Sequence, residues 1–150
     1  MTVEPVVVID SREKKPYSFY DTDVIRTGLE TGDYTIEGFE GVFAVERKSL
    51  DDLANTLGAG RERFEREIQR AQNFEEFVVV IEAEKSMLYD RDGRGHCIHY
   101  YSKIHPNSII GTVEKWPDKY DVLEFEWAGD RAGAKARTHQ LLQNWYEKYQ

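Results

Sequence analysis

Glu46 and Lys48 stand two residues apart in GVFAVERKSLDDL, residues 41–53, where an apolar run ends in three adjacent charges. In an extended segment alternate side chains share a face, so Glu46 and Lys48 point one way and Arg47 the other. A preceding strand in TGDYTIEG carries Asp33 and can pair as a hairpin, bringing that carboxylate alongside. Asp52 follows Lys48 by four residues across a strand-to-helix turn, and Asp10 ends another apolar run, VVVID. Carboxylates gathered round one lysine repel one another unless a cation joins them. A magnesium or manganese ion takes oxygen ligands, with Asp33 and Glu46 as the first candidates and Asp10 as a further contributor. Such an ion polarises a phosphodiester and orients water. Lys48 is then placed to orient or help deprotonate that water and to neutralise phosphate charge. Spacing alone leaves a second reading open, in which the strand simply emerges into solvent.

The elements that must position these groups follow from periodicity. Val6 to Asp10 is continuous and β-branched, as in a strand buried on both faces. Asp33–Ile36 and Val42–Lys48 read as the two arms of a hairpin turning through Gly38 and Gly41. Ser49 can cap a helix with Asp51 and Asp52 in its first turn. A second helix is expected from Arg61 to about Asn73, with Phe64, Ile68 and Ala71 on one stripe. Phe77–Glu82 is the next interior strand, and a helix begins near Pro106. Val122–Trp127 is a further strand, and a last helix spans about Arg131 to Tyr149. Strands and helices alternate after the hairpin, which predicts an α/β architecture: a mixed β-sheet flanked by helices.

Composition bounds the rest. One domain with a real core fits 150 residues. No apolar stretch approaches a membrane span, and the N-terminus has no basic-then-apolar leader pattern. The single cysteine, Cys97, excludes an internal disulfide and a cysteine-based zinc cluster, and fits a reducing interior. An intracellular protein is expected, cytoplasmic or nucleoid-associated if the source is prokaryotic. With 28 acidic and 20 basic side chains the net charge is -8, against a protein that merely wraps nucleic acid. A cation held by carboxylates reverses that sign locally.

Other groups read blandly. Glu62, Glu65 and Glu67 are expected as solvated charges of the second helix. His96 and His99 in HCIH lack a second pair to complete a zinc site, and His105 has no established ligand spacing. Trp116, Trp127 and Trp145 are expected as core or interface anchors. Tyr100 and Tyr101 could touch a substrate or pack. GAGRERF lacks the phosphate-loop pattern.

GDY at 32–34 followed by VERKSLDDL at 45–53 resembles the GDXnERKXXXD signature of the XPF-type (ERCC4) nuclease domain. Asp33, Glu46, Arg47, Lys48 and Asp52 occupy the signature positions. VVVIDSRE at 6–13 is similar to the family's first-strand segment, with Asp10, Arg12 and Glu13 in place. LGAGRERFEREIQRA, FVVVIE and HPNSIIGTVEKW resemble its second helix, next strand and later helix, so the likeness covers nearly the whole chain, residues 1–150.

The resemblance implies a restriction-endonuclease-like core that cuts DNA near branches or single-strand/double-strand junctions with Mg²⁺ or Mn²⁺. It implies Asp33 and Glu46 as metal ligands, with the Arg47 carbonyl, and Asp10 acting through water or holding them. Lys48 works on the substrate side, and Asp52 orients water or Lys48. Arg12, Glu13, Arg47 and Arg61 are supporting or DNA-binding residues; Arg47 could bind a phosphate or lock the turn through a carboxylate, and Arg61 could pair with an acid. The family also implies a homodimer, and Leu142, Trp145 and Tyr149 form a stripe able to meet either the core or a second copy. These 150 residues have no room for the tandem helix-hairpin-helix domain that many members add. The alternative function is a DNA-binding or assembly module that needs a further, targeting protein for turnover.

Overall fold

The computed structural model of the chain describes residues 5–19, 22–89 and 104–149. His96, Cys97, His99, Tyr100 and Tyr101 lie outside them. β1 (Val7–Asp10) is buried along its whole length, as its unbroken β-branched run requires. It lies parallel to β2 (Val24–Thr27) and antiparallel to β3 (Tyr34–Ile36). β3 turns into β4 (Phe43–Lys48) through Gly38 and Gly41, both at positive φ. From there the sheet is parallel, β4 beside β5 (Glu76–Ile81) and β5 beside β6 (Leu123–Trp127). The strand order is β2-β1-β3-β4-β5-β6.

Parallel neighbours need crossover connections, and helices supply them. α1 (Leu50–Leu57) and α2 (Arg61–Arg70) join β4 to β5, and α3 (Pro106–Lys119) lies between β5 and β6. Leu53, Leu57, Phe64, Ile68, Ile109 and Trp116 from these helices pack on Ala44, Phe77, Val79 and Ile81. α4 (Arg131–Lys148) crosses the other face, where Leu141, Leu142 and Trp145 meet Phe43, Val45, Val78 and Val80. The mixed sheet flanked by helices is the architecture expected.

Three details differ from the sequence reading. β2 falls in a stretch to which the sequence assigned no element; all four of its residues are exposed, so no burial pattern marked it. His105 caps α3, its Nδ1 accepting from the Asn107 N–H at 3.0 Å, which gives this histidine a structural task. Leu142 and Trp145 are buried under the chain's own sheet while Tyr149 stays 44% exposed. The stripe therefore serves the core, and an association of two copies needs another surface.

Candidate active site

β4 divides its charges between the two faces of the sheet. Glu46 and Lys48 share the face of α1–α3, with Lys48 Nζ 3.5 Å from Glu46 Oε2. The β3–β4 hairpin brings Asp33 to them: its N–H donates to the Val45 carbonyl at 2.8 Å, and its Oδ2 accepts from the Arg47 N–H at 2.8 Å. Ser49 caps α1 by accepting from the Asp52 N–H at 3.1 Å. That places Asp52 in the first helical turn, exposed, where its charge reaches Lys48 as the weakest of four carboxylate influences.

The electrostatics are those of a crowded acid site. Burial, then the charge of Glu13, pushes the Asp33 carboxyl up to about 7, against the pull of the Arg47 N–H and Lys48. Burial raises Glu46 well above the usual carboxylate range, and the charges of Asp33 and Glu67 raise it further. Burial alone would lower the Lys48 ammonium, but Glu46, Asp33, Glu67 and Asp52 outweigh it and the net shift is upward. The carboxylates around Lys48 thus favour its charged form.

Arg47 faces the opposite side, and its guanidinium is gripped by carboxylates. Nε and Nη2 donate to Glu13 at 2.9 and 3.0 Å, and Nη1 donates to Glu82 at 3.1 Å. All three side chains are less than a tenth exposed. Glu82 also accepts from the Tyr17 hydroxyl at 2.6 Å and from Arg131, the first residue of α4, at 3.2 Å. Arg47 thus locks the turn through the carboxylates of Glu13 and Glu82, and its guanidinium is enclosed.

The remaining expected residues take scaffold positions. Asp10 accepts from the Leu29 N–H at 2.9 Å and from Arg12 Nε at 3.1 Å, and Arg12 also donates to the Leu29 carbonyl. Asp10 secures the β2–β3 loop that leads into Asp33. Arg61 donates to the Leu57 carbonyl at 3.2 Å and Thr112 Oγ1 at 3.0 Å and lies over Trp116; among the described residues its hydrogen-bond acceptors are a carbonyl and a hydroxyl.

Glu67 is the residue that sequence reasoning misplaced. It leaves α2 toward the site, where Oε1 accepts from the Gly32 N–H at 3.2 Å. The signal lay in its position three residues after Phe64 and one before Ile68, at the border of the apolar stripe. Gly32 is fixed from both sides. Its φ is +83°, and a Cβ there would sit 2.6 Å from the Ala44 Cβ. Gly32→Ala is expected to destabilise the chain by more than about 2 kcal/mol, read in urea denaturation, through left-handed strain and overpacking.

These residues suit a divalent ion. Among the described residues no three acidic, histidine or cysteine side chains converge as a ready-made metal cage. Magnesium does not require one, since it binds through one or two carboxylates and completes its shell with water and substrate phosphate oxygens. Asp33 and Glu46 are hard oxygen donors whose carboxyls are raised first by burial and then by neighbouring negative charge, Glu13 for Asp33 and Asp33 for Glu46, the condition that a cation relieves.

The ERCC4 domain matches residues 9–122, most of the chain and all of the groups above except Arg131. The chain belongs to the ERCC4 domain family. Its fold is similar to that of XPF from Aeropyrum pernix, with a TM-score of 0.68 at 20% identity, over 93% of this chain. The ERCC4 chain described here spans 61% of that protein's length. No curated protein matches it closely in sequence. Within this ERCC4 domain the signature residues Asp33, Glu46 and Lys48 converge, Asp52 stands at the rim, and Arg47 turns away. Among the described residues no helix is long and apolar enough to cross a membrane.

Proposed function

We propose that this ERCC4 domain is a Mg²⁺- or Mn²⁺-dependent endonuclease that hydrolyses DNA phosphodiester bonds near branches or single-strand/double-strand junctions. The observation that carries the reading is the pair of buried, pKa-raised carboxylates, Asp33 and Glu46, set beside the Lys48 ammonium at the C-terminal end of β4. Asp33 and Glu46 would hold a divalent ion, which would supply Lewis acidity toward the phosphoryl oxygen. Lys48 presents its ammonium to the charge that grows on the phosphate as water adds to phosphorus and the bond to the leaving oxygen breaks. The charges of Glu67 and Asp52 favour that ammonium, and Glu46 pairs with it at 3.5 Å. The family and its XPF relative support DNA as the substrate. Junctions are favoured because opening or bending the strand costs less there.

Matched flap, fork, nicked, single-stranded and blunt-duplex DNAs test the reading in one experiment. Cutting of a junction substrate with Mg²⁺ or Mn²⁺, stopped by EDTA, is the expected result. Faster cutting of blunt duplex would remove the junction preference, and no cutting by folded protein across several salt concentrations would overturn autonomous activity. Cutting only after addition of a second protein would favour the assembly-module reading. A homodimer is part of the proposal, and light scattering that records a monomer at every concentration would end it.

A further inference from the structure

Beside Lys48 the α1–α2 turn leaves a cleft of about 420 Å³, with Lys48 and Glu67 at its inner end and Asn55, Gly60 and Arg63 around its rim. We propose that this cleft seats the nucleotide next to the bond that is cut, with Arg63 holding that nucleotide's phosphate. The inference rests on the nuclease reading and extends it from the reacting phosphate to its neighbour.

The geometry of α2 carries the argument. Arg63 and Glu67 are four residues apart and therefore share one face of the helix, about one turn or roughly 6 Å along its axis. Glu67 is tied to the Gly32 N–H, next to Asp33, which fixes the inner end of the cleft at the carboxylates. Arg63 then stands one turn outward, a step comparable with one nucleotide of an extended strand. The charges are ordered in the same sense. Carboxylates lie at the inner end, where a cation would sit, and a guanidinium lies at the rim, where the next phosphate would emerge.

Arg63 is also a cation that the fold does not use. Arg12, Arg47 and Arg61 are held by carboxylates, carbonyls or a hydroxyl. Arg63 is exposed and makes no ion pair with another described residue. Gly60, the cap of α2 and part of the cleft wall, brings no side chain that would compete for an incoming phosphate. Asn55, exposed on α1 across from Arg63, adds an uncharged donor and acceptor that suits a sugar or a phosphate oxygen.

The test measures binding apart from cutting. A flap DNA is titrated in Ca²⁺ with wild type, Arg63→Ala and Arg63→Lys, using an all-phosphate strand and strands with one neutral methylphosphonate on either side of the cut position. Arg63→Ala should weaken binding about 5–10-fold at low salt and lower the slope of log K against log salt by about one. Arg63→Lys should restore that slope. One of the two neutral linkages should weaken wild type by a similar factor and Arg63→Ala no further. Unchanged affinity and slope in Arg63→Ala would overturn the proposal, as would an equal methylphosphonate penalty in both proteins at both positions. Cleavage in Mn²⁺ is scored separately: wild type that binds but does not cut removes the nuclease reading while the Arg63 comparison still decides this one. Wild type that binds no DNA overturns both.

Discussion

Asp33→Asn is expected to yield a protein that is more stable than wild type at pH 8 and no longer cuts DNA. The side-chain oxygen of asparagine can still accept from the Arg47 N–H, so the hairpin keeps its geometry. What disappears is a buried charge. The folded-state carboxyl is raised to about 7 from an ordinary value of 3.8, so between those limits the native chain binds more protons than the unfolded one. Stability then falls as pH rises through that window, and the full cost is present above it. Removing the charge should return on the order of 2 kcal/mol at pH 8 in metal-free protein and flatten the decline between pH 4 and 7. The same change removes an anionic ligand, and turnover should drop at least ~10²-fold, about 2.7 kcal/mol of transition-state stabilisation. Thermal melts across pH with EDTA, beside flap-cleavage rates in Mn²⁺, check both halves. An asparagine variant that cuts normally would mean that Asp33 holds no ion in the reaction.

Arg47→Ala should act in the opposite way, by damaging the fold first. Glu13 and Glu82 would be left buried without the guanidinium that joins them, although Glu82 keeps Arg131 and Tyr17. Breaking one side of a buried pair costs about 3–5 kcal/mol, which for a chain of this length is a fall in Tm of roughly 10 °C. The sign of its pH dependence is also fixed. Burial alone would raise Glu13, but the bonds from Arg47 and the Lys15 N–H carry it below its ordinary 4.5. This contribution is present above the unfolded-state value and is lost as pH falls through the lower folded-state one. Wild type should therefore lose stability on acidification over that range more steeply than Arg47→Ala. Urea denaturation at pH 7 and pH 3.5 measures the difference. A variant as stable as wild type would show that the clamp is not what secures the end of β4.

Local patterning made much of this legible. The period of two assigned Glu46 and Lys48 to one face and Arg47 to the other, as found. The unbroken apolar run marked β1, and the glycines marked the β3–β4 turn. β2 was not legible because an exposed edge strand paired on one side needs no alternation. Glu67 was misread because its task depends on Gly32, 35 residues away. The partners of Glu82 lie still further, with 65 residues to Tyr17 and 49 to Arg131. Such contacts follow from topology, and no window of sequence contains them.

The placement of α4 sets the order in which this domain can become itself during synthesis. It is the element that covers Val45, Val78 and Val80 from the face opposite α1–α3. A nascent chain that has already made all six strands would therefore carry a sheet with one greasy side open until residues 131–148 have cleared the ribosome. The guanidinium of Arg131, which completes the grip on Glu82, arrives with the same segment. Parallel pairing through long crossovers is slow, and exposed sheet in that interval invites aggregation. Chains stalled before α4 should accumulate on chaperones, and the carboxylate site should acquire its final shape only as the last helix docks.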